Sequence, residues 1–465
     1  MRPATLLDIA GATGGEIIQG NPGLTFDQVS IDTRKTSPGD LFLALKGERY
    51  DAHNFLAQAV MTGAGGVVVS RAIDIPDGIP AVKVKDTLVA LQALARWNRD
   101  RCGARLIGVT GSTGKTTTKD MIASVLSTHL QTLKTTGNFN NEIGLPLTLL
   151  GMNSSHEAAV VEMGMRGLGE IAALCRIARP DGAVVTNIGE THLELLGSIS
   201  NIASAKGELL EYMPIDGFAV INAASPYVRR EAGRCCGKVI FFGFDQTSDV
   251  AAENIRAVNG GSHFTTVVAG EKNDYFLPVP GRHNVLNALA AIAVGLEFGL
   301  SNEEINRGLA AVTITGMRQE IAEAGNVKII NDAYNACPAS TVAALQLLRE
   351  LAGDRRMVAV LGNMLELGSR AGSGHREVGE AVAAYGIDCL IAVGDLANGI
   401  ADGASCAGLP AGGIYRCAGN IEAVAVLDDI LRDGDAVLVK GSRGMRMEQI
   451  VESLLSTRGK AGGNR

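Results

Sequence analysis

The segment Thr110-Gly111-Ser112-Thr113-Gly114-Lys115-Thr116-Thr117-Thr118-Lys119 constrains the fold of this 465-residue chain more than any other. Before it, Leu106-Ile107-Gly108-Val109 reads as a buried parallel strand; after it, Asp120 to Leu126 carries the apolar spacing of a helix. A strand, a small-residue loop and a helix opened by Gly-Lys-Thr form a cradle for phosphate. The glycines permit a tight turn, and the N–H groups at the helix start point at an anion. On this reading Gly111, Ser112, Thr113, Gly114, Lys115, Thr116 and Thr117 bind a nucleotide. Lys115 reaches the outer phosphates and the Thr116 hydroxyl suits Mg²⁺. The plainer alternative is a Gly-rich turn with a surface lysine, which the flanking strand and helix disfavour. The general pattern has glycine five residues before Gly114, where this chain has Val109. The loop is therefore a shortened form that most motor and switch NTPases do not use.

Chain length suggests about three domains. We place them at 1–104, 105–315 and 316–465, all α/β. In the second and third, Val/Ile/Leu-rich runs alternate with helices, which predicts parallel sheets. The strands are expected at 158–162, 182–187, 218–222, 327–330, 357–361, 389–393 and 436–439. Aromatic residues make up only 4% of the chain against 46% hydrophobic, as suits sheets covered by small-residue helices. The N-terminus predicts a short helix capped by Thr5 with Asp8 three residues on. A helix from Thr87 to Trp97 is followed by a charged connector, Asn98 to Gly103; a turn-rich region surrounds Gly260-Gly261, and Ser456 to Arg465 reads as a frayed tail.

A net charge of −7 with no basic run argues against nucleic acid as a partner. Eight cysteines without Cys-x-x-Cys spacing fit a reduced core. The longest apolar stretch, from about Val285 to Leu300, is broken by Asn287 and Glu297, and the N-terminus has no signal-peptide pattern. No membrane span and a cytoplasmic location are expected.

In parallel sheets, ligands bind at the carboxyl ends of strands. Polar residues expected there are Thr110, Glu162, Asn187, Asp332, Asn363, Gly394 and Lys440. Drawn from two units, they suggest one cleft between two sheets. Glu162 ends an apolar strand, where a carboxylate needs a partner, and Mg²⁺ beside the phosphate loop would supply one; a paired structural Glu is the alternative. His192 leaves the next strand end. Lys206 lies on the apolar face of its helix with Ile202, Leu209, Leu210 and Met213, while Glu208 and Glu211 are expected to lie away from it. An inward lysine needs a partner, a changed charge or a route to solvent. Arg318, at a domain junction, is placed to clamp a γ-phosphoryl group. The loop Thr135 to Pro146 holds three asparagines that suit either binding or turn chemistry.

Together these residues resemble the Mur ligase family along nearly the whole chain. The short phosphate loop, Gly137-Asn138-Phe139-Asn140-Asn141, Glu162-Met163-Gly164, Asn187 to Leu193 and Gly281 to Asn287 are similar to its central domain. Asp332 to Pro338 and Gly362 to Gly368 resemble the branch that adds D-alanyl-D-alanine, with Cys337 where that branch usually has Asn. Ser30 to Arg34 and Leu43 to Gly47 resemble uridine-nucleotide-binding segments. The Asp-Asn-Pro-Arg motif of diaminopimelate-adding relatives does not occur.

The resemblance implies a uridine-binding first domain, a central phosphate-loop domain and a Rossmann-like third domain. It implies an ATP-dependent ligase acting on a UDP-N-acetylmuramoyl tripeptide and D-alanyl-D-alanine through an acyl phosphate, as a monomer. Lys115, Lys206, His192 and Arg318 would be catalytic. His283, Asn284 and Asn287 would hold the adenine end, Asp332 the ribose and Arg318 the γ-phosphate. Two Mg²⁺ ions would use Thr116, Glu162, His192 and a carbamate formed by CO₂ on Lys206. Ser30, Thr33, Arg34, Lys46, Asn138, Asn141, Tyr334 and Asn335 would bind substrate. A folylpolyglutamate synthetase-like ligase, a relative adding the third amino acid and a nucleotide-binding switch are the rival readings.

Overall fold

A nine-stranded sheet carries the phosphate loop in a computed structural model that describes residues 1–71, 75–258 and 260–459. Its strand Arg105–Thr110 lies between Ala158–Glu162 and Gly182–Val185, all parallel. The chain crosses to opposite sides of that strand, so the loop after Thr110 opens at the switch point where α/β sheets bind ligands. Thr132–Lys134 forms one edge; Phe218–Asn222 and Lys238–Gly243 continue the parallel part on the other side. The buried run in each central strand explains why unbroken Val/Ile/Ala segments are tolerated there: helices cover both faces.

The region expected to be turn-rich instead extends this sheet. Val250–Val258 joins Lys238–Gly243 in parallel, and Gly261–Val268 and Glu271–Leu277 then pair antiparallel beyond it. Burial alternates through Ser262, Phe264 and Thr266, so one face meets the core and the other meets water.

A six-stranded sheet follows, ordered Glu320–Ala324, Val327–Asp332, Ala436–Lys440, Met357–Gly362, Cys389–Val393 and Ile414–Cys417. Only its first strand is antiparallel. The first hundred residues build a five-stranded sheet from Glu16–Gln19, Ala81–Lys83, Gly66–Val69, Leu41–Leu43 and Val29–Ser30.

The N-terminal helix Leu6–Thr13 has the expected capping box between Thr5 and Asp8. The charged connector after Trp97 is a different matter. The helix Thr87–Asp100 runs through it, and both Asn98 and Arg99 are buried. Asn98 Nδ2 donates to the carbonyls of Leu149 and Met152, and the Arg99 guanidinium donates to Ala178 O and Asp181. Saturated hydrogen bonding is what lets such polar groups leave water. Around them one apolar cluster joins Leu6, Ile9, Leu41 and Leu94 to Leu145, Leu149, Ile171 and Leu174. At the other end the helix Glu448–Gly459 includes the start of the expected frayed tail; residues 460–465 lie outside the described residues.

Candidate active site

The phosphate loop reaches its shape through neighbours rather than through its own residues alone. Gly111 has φ +151°, and a β-carbon there would lie 1.8 Å from Thr186 Oγ1. Gly114 has φ +78° and opens the helix Lys115–Leu126, with Asn287 Oδ1 2.6 Å from where its β-carbon would be. Asn187 fixes the loop from the adjacent strand end: its Oδ1 accepts from Thr113 N (2.9 Å) and its Nδ2 donates to Thr113 Oγ1 (2.7 Å). Lys115 Nζ donates to Gly111 O (2.8 Å), inside the loop it belongs to. Burial, the largest influence, and Arg318 lower its pKa, and Glu162 opposes them.

Thr116 Oγ1 donates to Glu162 Oε2 at 2.5 Å, and Asn140 Nδ2 donates to Oε1 at 2.8 Å. Glu162 is 2% exposed. The buried carboxylate and the Thr116 hydroxyl supply hard oxygen donors that fit Mg²⁺, and the Asn140 amide N–H holds the second carboxylate oxygen. Among the described residues no group of three His, Cys, Asp or Glu side chains could by itself hold a metal ion. Lys206 is also 2% exposed, and no hydrogen bond or ion pair to its Nζ occurs among the described residues. Burial and then Lys115 push its pKa well below the lysine range. His192, at φ +64°, starts the short helix Leu193–Leu196. Its Nδ1 lies 2.7 Å from Glu366 Oε2, in the loop after the strand Met357–Gly362, out of line for a hydrogen bond. Burial lowers its pKa against the pull of Glu366.

Glu208 differs from expectation. It is buried, and its carboxylate accepts from Gly169 N and Ala172 N at the start of the helix Glu170–Ala178. Those donors satisfy the charge and the helix dipole favours it there. Glu211 is exposed, as expected.

The six-stranded sheet supplies the opposite wall. The Arg318 guanidinium stacks 3.8 Å from the ring centroid of Tyr334, with its Nε buried and without a partner among the described residues. Asp332 pairs with Lys440 in the sheet register, and their side chains meet at 2.6 Å; Lys440 also donates to Asn335 O. His283 Nε2 and Asn284 Nδ2 both contact Gln319 Oε1 at 2.8 Å, while Asn284 Oδ1 accepts from Asn287. Cys337 precedes the helix Pro338–Ala352, its Sγ 3.3 Å from Ser340 Oγ. One cleft of about 850 Å³ is lined by Lys115, Thr116, Glu162, His192 and Lys206 on one side and by Arg318, Asp332 and Tyr334 on the other.

Ser112, Thr113, Gly114, Thr117, His283, Asn284, Asn287, Asn138, Asn141 and Asn335 also line that cleft. Ser30, Thr33, Arg34 and Lys46 do not; Ser30 ends a strand of the first sheet and the others lie in the segments that follow its strands, where Arg34 pairs with Asp32 and Ser30 with Thr36. Asn363 and Gly394 are strand-end residues outside the cleft: Asn363 Oδ1 accepts from Ala397 N instead. Asn141 spends its Oδ1 on the Gly144 N–H at the start of a helix. Asn140, Gln319 and Glu366 are contacts that sequence reasoning missed. Each is a polar residue in a polar loop, and only the register of strands and turns selects it from its neighbours.

Three family models match the chain: Mur ligase family, catalytic domain, over residues 25–100; Mur ligase middle domain over 109–295; and Mur ligase, glutamate ligase domain, over 317–443. A UDP-N-acetylmuramoyl-tripeptide–D-alanyl-D-alanine ligase of Bacillus subtilis is 42% identical over 431 residues, 92% of this chain and 93% of that protein. The chain belongs to the Mur ligase family. Among solved structures, this Mur ligase is similar to a MurF of Acinetobacter baumannii, with TM-score 0.90, 33% identity, and 98% and 100% of the two chains covered. It is also similar to a Thermotoga maritima MurF ligase in complex with ADP, with TM-score 0.82 and 28% identity over 93% of this Mur ligase and 98% of that chain.

Proposed function

We propose that this Mur ligase joins D-alanyl-D-alanine to a UDP-N-acetylmuramoyl tripeptide with conversion of ATP to ADP and phosphate, giving the pentapeptide precursor of peptidoglycan. The observation that carries the reading is the single cleft in which Lys115, Thr116 and Glu162 face Arg318 and Asp332 from another sheet. Near-full-length similarity to ligases of that specificity supplies the substrates. Residues 1–104 form the uridine-nucleotide domain through Ser30, Thr33, Arg34 and Lys46, residues 105–315 the phosphate-loop domain, and residues 316–465 the closing domain.

In this reading the loop amides and Lys115 hold the outer phosphates of ATP, and the orphaned Arg318 Nε finds its acceptor on the γ-phosphate. His283, Asn284 and Asn287 hold the adenine end, with Asp332 at the ribose. Asn138, Asn141, Tyr334 and Asn335 contact the peptide substrates. Thr116 and Glu162 would hold one Mg²⁺; when bound, it neutralises phosphate charge. The tripeptide carboxylate attacks the γ-phosphorus and ADP leaves. The dipeptide amine then attacks the acyl phosphate carbonyl, losing a proton as phosphate departs. A neutral Lys206 amine is suited to add to CO₂ with loss of one proton, and the carbamate oxygens with Glu162 and His192 would suit a second Mg²⁺. One chain supplies every group invoked, so the working unit is taken as a monomer. No described helix is long and apolar enough to cross a membrane. The need for ATP and the eight unpaired cysteines favour the cytoplasm.

The test incubates the protein with ATP, Mg²⁺, D-alanyl-D-alanine and UDP-N-acetylmuramoyl tripeptides carrying either meso-diaminopimelate or L-lysine. A pentapeptide product, with phosphate released only when both peptide substrates are present, is expected. No product from either tripeptide would overturn the reading.

A further inference from the structure

Asp120, fully buried in the phosphate-loop helix, divides its two carboxylate oxygens between different tasks. Oδ1 takes both nearby cations, Lys134 Nζ at 2.8 Å and Lys119 Nζ at 3.1 Å. Oδ2 takes both donors of one residue, Thr315 N at 2.9 Å and Thr315 Oγ1 at 2.7 Å. Neutralising the lysines needs only the first oxygen. The second is committed to the connector between the two large sheets, 195 residues away in sequence.

Three residues beyond Thr315 stands Arg318, flanked by Met317 at φ +58° and Gln319 at φ +54°. Two non-glycine residues in the left-handed region make an unfavourable turn that must be held by its surroundings. Its far end is held: Gln319 contacts His283 and Asn284, Tyr334 N donates to Met317 O, and Glu320 pairs with Asn331. Its near end is held by Asp120.

We propose that Asp120 is a positioning residue for γ-phosphate recognition, pinning Thr315 to the phosphate-loop helix so that Arg318 faces that loop already aimed. The same carboxylate serves the floor of the site. Lys119, which contacts its Oδ1, also donates to Thr135 O, and Thr135 Oγ1 accepts from Glu162 N. One side chain thus sets the spacing between Glu162 and Arg318. The inference rests on the nucleotide part of the proposed function and not on the identity of the peptides.

The test is a double-mutant cycle on the full chain read as the ratio of dissociation constants for ADP and the non-hydrolysable analogue AMPPNP, by calorimetry with Mg²⁺. Asp120→Asn replaces one acceptor by an amide that cannot serve the lysines and Thr315 together. It is expected to cut the preference for AMPPNP on the order of tenfold, the scale of one charge-assisted hydrogen bond. In an Arg318→Lys background it is expected to change that preference by less than about twofold, because coupled residues are non-additive. Thr315→Val, which keeps the backbone bond and the local volume, is expected to show a smaller effect with the same non-additivity, and it carries the test if Asp120→Asn does not fold. Equal losses in both backgrounds, or a parent with no preference for AMPPNP over ADP, would overturn the inference. Loss of pentapeptide synthesis alone would leave this cycle readable.

Discussion

His375 shows how tightly one buried side chain can fix its own chemistry. It is 1% exposed; its Nε2 accepts from Met364 N at 2.9 Å, which leaves Nδ1, 2.6 Å from Ala371 O, as the donor. Only the neutral ring fits that pair of contacts, and burial accordingly lowers its pKa. Above pH about 6.5 both folded and unfolded chains carry a neutral ring and stability is complete. Below it the unfolded chain takes up a proton that the folded chain refuses, so stability falls as pH drops, by at most about 1.4 kcal/mol per pH unit for one proton. Urea unfolding between pH 7.5 and 5.5 should show this slope, and His375→Gln should flatten it; an unchanged slope would remove His375 as its source. His192 and His283, half-buried with pKa values that burial lowers, contribute with the same sign. Lys206 gives a different kind of prediction. Lys206→Ala should nearly abolish ligation at saturating substrates, and Lys206→Arg, which cannot form a carbamate, should not rescue it. A normal rate in either variant removes the carbamate. The helical spacing made the inward direction of Lys206 legible, but the solitude of its Nζ depends on which side chains the neighbouring strands bring near.

At the scale of elements, the phosphate loop depends on the strand beside it. Thr186 Oγ1 is itself held by Thr113 O at 2.6 Å, so it cannot retreat from a β-carbon at position 111. Gly111→Ala should therefore displace the loop and weaken ATP binding at least about tenfold, the cost of losing one or two aligned donors. Calorimetry would check this, with an unchanged far-ultraviolet circular dichroism spectrum showing that the sheet survives; wild-type affinity would contradict the geometry. The parallel strands were legible because a strand buried on both faces must be apolar throughout, as Ala158 to Val161 and Val437 to Val439 are. The hairpins from Val250 to Leu277 were not, since a one-sided surface mixes Thr, Ser and Glu with the apolar positions and Gly260-Gly261 reads as a plain turn. Asn98 and Arg99 were misplaced for a related reason: polarity signals water, and only the carbonyls of Leu149, Met152 and Ala178 explain their burial. Within Asn138 to Asn141, nothing in composition separates Asn140, which meets Glu162, from Asn141, whose Oδ1 accepts from Gly144 N.

The whole molecule has two seams of different character. Between the first hundred residues and the nine-stranded sheet, apolar side chains from both sides form one cluster. Between the nine-stranded and six-stranded sheets, the contacts are polar: Arg370 with Glu190 at 2.9 Å, His192 with Glu366, and Gln319 with His283, while Asp120 anchors the connector at Thr315. Among the described residues no buried apolar cluster draws from both sides of that second seam. Parting the first would expose hydrocarbon at a cost of about 25 cal/mol per Å²; parting the second exposes groups that water can serve. Motion during turnover is therefore expected at the second seam. On slow heating, ligase activity should therefore disappear at a lower temperature than the main calorimetric transition, and AMPPNP should narrow that gap. Coincident transitions without nucleotide would argue that the sheets are fastened more firmly than their contacts suggest. A small molecule that wedges this polar seam open would silence the enzyme while leaving each sheet folded, because it would hold Arg318 away from the phosphate loop.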